Sequence, residues 1–163
     1  MTDVVSNTSP LSYLHKLGCL EILRDLFGTV IVPTAVVVEL RDGRERGHDL
    51  PDPESLAWVT VAPAQPLSLR LSTIGNLDPG EAAVLDCALS SPSPLAILDE
   101  RIARRTAKVL GIPCVGTIGV LVEAKKRDLL PAVAPLFAEL ERLRFRFSPL
   151  LRAWALEEAG ERT

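Results

Sequence analysis

"LAILDERIARRTAKVLGIPCVG", residues 95–116, sets two short apolar runs, "LAIL" (95–98) and "PCVG" (113–116), on either side of a helically spaced segment, "ERIARRTAKVLG" (100–111). A run that is apolar throughout, without polar alternation, suits a strand covered on both faces, and strands joined through a helix pair in parallel. The same rhythm recurs outward from this stretch. "DVV" (3–5), "TVIV" (29–32) and "AWVTV" (57–61) read as strands, while "SPLSYLHKLGCLEILRDLF" (9–27), "TAVVVELRDG" (34–43), "PGEAAVLDCALS" (79–90) and "TIGVLVEAKKRDLL" (117–130) read as helices. Ser9 before Pro10, Asp78 before Pro79, and Gly111 after Leu110 supply the stops and starts. The fold class is therefore α/β with a central parallel sheet. Residues 42–56 read as an exposed loop, and 131–160 as one or two further helices on the outside.

At 163 residues the chain is the size of one domain, taken as 1–160 with a frayed tail at 161–163. Its 47% apolar and 24% charged residues leave no tract poor enough in apolar residues to stay disordered. A formal charge of −3 gives no global signal for a polyanion, so nucleic acid would have to be met by a local patch or through bound cations. Such patches occur at 101–108, 124–127 and 142–146, each of which also reads as a solvated helix face. Cys19, Cys87 and Cys114 are odd in number and widely spaced, with only His15 and His48 as companions, which argues against a disulfide framework or a zinc site. No Lys/Arg-led apolar segment opens the chain, and no apolar run approaches the ~18 residues of a membrane span. The expectation is a cytoplasmic protein with no membrane association.

Sites in open α/β sheets form at the carboxyl ends of the strands. Asn7 lies two residues beyond "VV", and Asp99 follows "LAIL" directly, so both fall at one edge of the sheet. Glu39, within "AVVVEL", and Glu81, in the first turn of "PGEAAVL", complete the set of candidates. Each has an ordinary reading: Asn7 as a turn residue, Glu39 as a surface acid, Asp78 to Glu81 as a capping box, and Asp99 or Glu100 as a helix cap. Together they ask for more. Carboxylates gathered without histidine or cysteine repel one another unless a hard divalent cation, Mg²⁺ or Mn²⁺, is held between them, and such a site suits phosphodiester hydrolysis.

Five blocks, "VVSNTSPLSYLHKLG", "FGTVIVPTAVVVEL", "LDPGEAAVLDCAL", "AILDERIARRTAKVLGI" and "GTIGVLVEAKKRDLLPAV", resemble in order the PIN-domain superfamily, in its DUF3368 branch of prokaryotic PIN-like proteins, over residues 3 to about 160. The resemblance implies a three-layer α/β/α sandwich around the parallel sheet. It further implies an acidic pocket for Mg²⁺ or Mn²⁺, and cleavage of single-stranded or structured RNA. It also implies the toxin half of a toxin–antitoxin pair, with a small antitoxin protein and a homodimer as partners. By position, the acids of the pattern fall on Asn7, Glu39, Glu81 and Asp99 as metal ligands, with the last three catalytic. Thr8 and Ser9 match the hydroxyl residues flanking the metal site, and Thr117 in "GTIG" reads as a helix cap or a phosphate contact. Asn7 departs from the superfamily's aspartate, though an amide there is common within the branch. Its carbonyl oxygen still ligates a hard cation but brings no charge and cannot act as a base.

Arg101, Arg104, Arg105 and Lys108 recur at helical spacing on one face directly after Asp99, where they would meet phosphates or simply water. Three readings follow: a metal-dependent endoribonuclease; a PIN-like module, weak or inactive as a catalyst, that binds nucleic acid or a partner; and a small-molecule enzyme or receiver-like domain on the same fold.

Overall fold

The computed structural model describes residues 2–161. Strands β1 (Asp3–Ser6), β2 (Val30–Pro33), β3 (Val59–Ala62), β4 (Pro94–Ile97) and β5 (Cys114–Val115) form one five-stranded sheet, all parallel, in the order β3-β2-β1-β4-β5. The chain thus starts in the middle, steps outward to β3, and returns to the far side of β1. Val5 faces Ile31 on one flank and Ala96 on the other. The direction reverses between β1 and β4, and a reversal of this kind opens a crevice beyond the strands' carboxyl ends. Asn7 and Asp99 stand on the two banks of that crevice.

The helices are α1 (Thr8–Lys16), α2 (Ile22–Phe27), α3 (Thr34–Glu45), α4 (Leu69–Ser72), α5 (Pro79–Leu89), α6 (Arg101–Val109), α7 (Thr117–Lys126), α8 (Ala134–Arg142) and α9 (Pro149–Glu158). Connections running out to β3 and those running back to β5 travel in opposite directions, so right-handed crossovers put their helices on opposite faces. Accordingly α5 lies across β1, β2 and β4 beside α6, whereas α7 packs on α1, α2 and β5. The layers close over a core in which Val5, Leu14, Leu85, Ile97, Leu98, Leu121 and Phe137 are fully buried. Each contributes roughly 1.5–3 kcal/mol by leaving water.

Several boundaries differ from the sequence reading. The helix expected over 9–27 breaks in two, because Gly18 takes φ 72° and ends α1 in the left-handed conformation that glycine adopts at no steric cost. The loop expected to begin at 42 begins later, since α3 runs on to Glu45, and a short 3-10 turn (Pro53–Ser55) interrupts it. Two helices, α8 and α9, fill the C-terminal third. Glu161, assigned to the frayed tail, is tied down: its carboxylate accepts from the amides of Val133 and Ala134 at 2.7 and 3.1 Å. Residues 162–163 lie outside the described residues. The three cysteines are free thiols, and burial pushes Cys19 up to about 11. Among the described residues no helix is long and apolar enough to cross a membrane.

Candidate functional site

Asn7 is the residue between β1 and α1, and its backbone is extended (φ −83°, ψ 176°) as at a helix cap, yet its side chain caps nothing. Its main-chain N–H donates to Ile97 O at 3.1 Å, lashing β1 to β4. The side-chain Oδ1 is buried and has no hydrogen-bond partner, which is costly unless something else satisfies it. It points toward Gly80. A methyl group on Gly80 would sit 3.2 Å from Asn7 Oδ1, 3.1 Å from Glu39 Oε2 and 3.4 Å from Asp78 Oδ1. Contacts this tight would require the three oxygens to give by a few tenths of an ångström to admit a side chain. Thr8 fixes the second of them, its hydroxyl donating to Glu39 Oε2 at 2.8 Å.

The capping box expected at Asp78 and Glu81 is present, and it serves the site as well. Asp78 Oδ1 accepts from the Glu81 amide at 2.7 Å, and Glu81 Oε1 accepts from the Asp78 amide at 3.0 Å. Glu81 is buried, and burial lifts its carboxyl above the ordinary range. The hydrogen bond from the Asp78 amide opposes this, and the carboxylates of Asp78, Glu100 and Glu39 add to the rise.

Across the crevice the chemistry is different. Asp99 does not cap α6: Oδ1 accepts from the Thr117 amide and Oδ2 from the Thr117 hydroxyl, both at 2.7 Å. Arg104 lies alongside, donating to Leu98 O at 3.1 Å, and a methyl on Gly116 would stand 3.0 Å from both Arg104 Nη1 and Asp99 Oδ1. Burial raises the Asp99 carboxyl, Thr117's two hydrogen bonds and Arg104 pull it down, and Glu100 pushes it up. Glu100 is exposed, and its charge contributes to the rise of the Asp99, Glu81 and Tyr13 groups alike.

The structure therefore brings Asn7 and Glu39 to one point, with Glu81 adjoining, and sets Asp99 opposite with each oxygen already engaged. Among the described residues, no three acids, histidines or cysteines are drawn together as a finished cation cage. Thr117 does not present itself to a phosphate: it is fully buried, is the first residue of α7 rather than its cap, and spends both its donors on Asp99. Thr8 turns its hydroxyl to Glu39, and Ser9 is half-buried in the first turn of α1. Arg101, Arg104, Arg105 and Lys108 all line one groove, and Asp99 lines it too. Sequence reasoning passed over Asp78 and Glu100 as site residues. The glycine between Asp78 and Glu81 was the available signal, since it marks a close approach of backbone to something. Nothing in the order of residues distinguishes Glu100 from an ordinary helix cap.

A parallel sheet with this strand order, and oxygen-rich side chains at its point of reversal, defines an α/β protein whose chemistry lies beyond the strand ends. The model of the DUF3368 family, described as a PIN domain, matches residues 3–161, and the chain belongs to that family. The superfamily is of nuclease type. Neither a curated protein nor a solved structure matches the chain.

Proposed function

We propose that this protein is a metal-dependent endoribonuclease that hydrolyses RNA phosphodiesters at the Asn7–Glu39–Asp78 corner. The observation that carries the reading is the buried, unpartnered Oδ1 of Asn7, aimed at the point where Glu39 Oε2 and Asp78 Oδ1 also converge. Amide and carboxylate oxygens with no nitrogen or sulfur donor fit Mg²⁺ or Mn²⁺ rather than a softer ion. Sparse protein ligation fits too, because Mg²⁺ keeps several waters and completes its shell with substrate phosphate. Asn7, Glu39 and Asp78 would hold the ion, with Glu81 and Glu100 near enough to add charge. Bound there, the ion would make a coordinated water more acidic and would offset charge on the phosphate.

The remaining work falls to the chain itself. Thr8 keeps Glu39 Oε2 in place, the capping box holds Asp78 and Glu81 against the start of α5, and Thr117 fixes Asp99. In hydrolysis the water oxygen would bond to phosphorus as one bridging P–O bond breaks, and the proton the water gives up would pass by way of solvent to the leaving oxygen. The assay is cleavage of mixed RNA with Mg²⁺ or Mn²⁺: the wild type cuts, Glu39→Gln and Asp99→Asn lose cutting, and Asn7→Asp keeps or improves it. Activity untouched by Glu39→Gln removes this site assignment.

A second reading is favoured by one feature, the amide at position 7. It makes the corner less negative than an aspartate would, and a weakly held metal leaves a module that binds nucleic acid without cutting it. An inert wild type alongside an active Asn7→Asp would decide for that reading. The toxin role rests on the family alone. Growth arrest on expression, relieved by the product of an adjacent small open reading frame, would support it.

A further inference from the structure

We propose, on the premise that the substrate is RNA, that the groove between α6 and residues 145–154 is a track for an unpaired strand, with phosphates held on one wall and bases stacked on the other. Two overlapping cavities, about 1190 and 370 Å³, lie along the β5 edge of the sheet, and Asp99, Arg104, Phe145 and Phe147 line both. Arg105 and Lys108 line the track from α6, and Arg146 lines it from the C-terminal segment. Among the described residues, none of these three nor Arg101 has a carboxylate partner, whereas Arg41, Lys126, Arg127 and Arg152 are each paired with a glutamate at 2.8–3.3 Å. A chain of net charge −3 thus leaves several of its cations uncompensated along one groove, which is the complement of a polyanion.

The other wall selects the form of that polyanion. Phe145, Phe147, Leu151 and Trp154 line it, and Trp154 is 49% and Leu151 38% exposed. The two phenylalanines are braced from behind, Phe145 edge-on to Tyr13 at 4.8 Å and Phe147 edge-on to Phe137 at 5.7 Å. A half-exposed indole beside braced rings offers flat apolar surface to nucleobases. A duplex keeps its base faces stacked inside and would meet only the cations, while an unpaired strand uses both walls.

The test is fluorescence anisotropy with a labelled oligouridine of about 12 nucleotides, within the usual span of such platforms, against a hairpin duplex, in EDTA so that nothing is cut. The strand is expected to bind more tightly than the duplex. Trp154→Ala should weaken it about tenfold and Trp154→Tyr restore most of that affinity. Arg105→Glu with Lys108→Glu should weaken binding and flatten its salt slope by roughly 0.7 for each phosphate no longer neutralised. Lys126→Glu, on the paired surface of α7, should leave binding as it was. Equal affinity for duplex, or indifference to Trp154→Ala and to the α6 pair, overturns the track. Sedimentation as a dimer that Trp154→Ala dissolves, with no RNA retained, assigns the groove to a second copy and overturns it too. An acidic peptide that binds where RNA does not would assign it to a protein partner, with the same result. Strand binding without metal-dependent cutting removes the nuclease reading and keeps the track; cutting that ignores Trp154→Ala removes the track alone.

Discussion

Gly80 and Gly116 each sit where an added methyl group would press on polar side chains beyond the strand ends, but their neighbours differ in kind. Around Gly80 the oxygens of Asn7, Glu39 and Asp78 converge, and one of them, Asn7 Oδ1, is buried with no partner. Around Gly116 every oxygen is spoken for: Thr117 donates to both oxygens of Asp99, and Arg104 supplies the countercharge. A corner that leaves one buried acceptor without a partner has room for a further bond, while a corner whose acceptors are all satisfied is held as it stands. On the proposed function, Glu39 and Asn7 would act on a bound group directly, and Thr117 would be a positioning residue that acts through Asp99.

The two corners can be separated by substitution. Glu39→Gln should produce the largest effect, a drop in cleavage of more than about a hundredfold, since even outer-shell partners of metal ligands cost 10–100-fold. Thr117→Val should fall inside that outer-shell range, about 10–100-fold, and should also lower stability by about 1–3 kcal/mol because it leaves a buried acceptor unmet. Denaturant midpoints read beside initial rates check both parts, and Mn²⁺ affinity should change less than in Glu39→Gln.

Gly80→Ala sharpens the contrast from the other side. A methyl in the first turn of α5 should weaken Mn²⁺ binding about tenfold, as a crowding penalty of ~1–3 kcal/mol would. Thermal stability should fall by less than that penalty alone implies, because alanine as the better helix former recovers up to about 1 kcal/mol. A fall in melting temperature with unchanged Mn²⁺ binding would mean that Gly80 serves packing alone.

The smallest effect concerns pH. Glu81 and Asp99 both have carboxyls raised in the fold, so without metal their stabilising contribution is complete below the unfolded carboxylate range and is lost as pH climbs through the raised folded values. Melting in EDTA between about pH 4 and about pH 7 should therefore show a decline that is shallower in Glu81→Gln. Identical pH profiles would show that the burial of Glu81 carries no ionisation cost.

The strand ends were legible in the sequence because parallel strands buried on both faces are apolar without interruption, so the first polar residues after "VV" and "LAIL" mark the edge where chemistry collects. That reasoning found Asn7 and Asp99, and the spacing of 101, 104, 105 and 108 found the cationic wall. It could not tell the roles of the two strand-end residues apart, since whether an oxygen is free or satisfied depends on Thr117, eighteen positions further along the chain from Asp99. Asp78 was hidden behind its own capping box, which explains the residue fully at the level of sequence. The aromatic wall escaped because Phe145, Phe147 and Trp154 have helical or turn surroundings that read as core, and only the fold brings them against α6. The break between α1 and α2 was marked by Gly18, but unbroken apolar periodicity on both sides outweighed it.

The central claim is that the Asn7–Glu39–Asp78 corner holds a divalent cation, and direct Mn²⁺ titration followed by electron paramagnetic resonance of the free ion tests it without reliance on turnover. The account predicts saturable binding to the wild type, tighter binding to Asn7→Asp, and binding abolished in Glu39→Gln. Mn²⁺ bound equally by wild type and Glu39→Gln would contradict it.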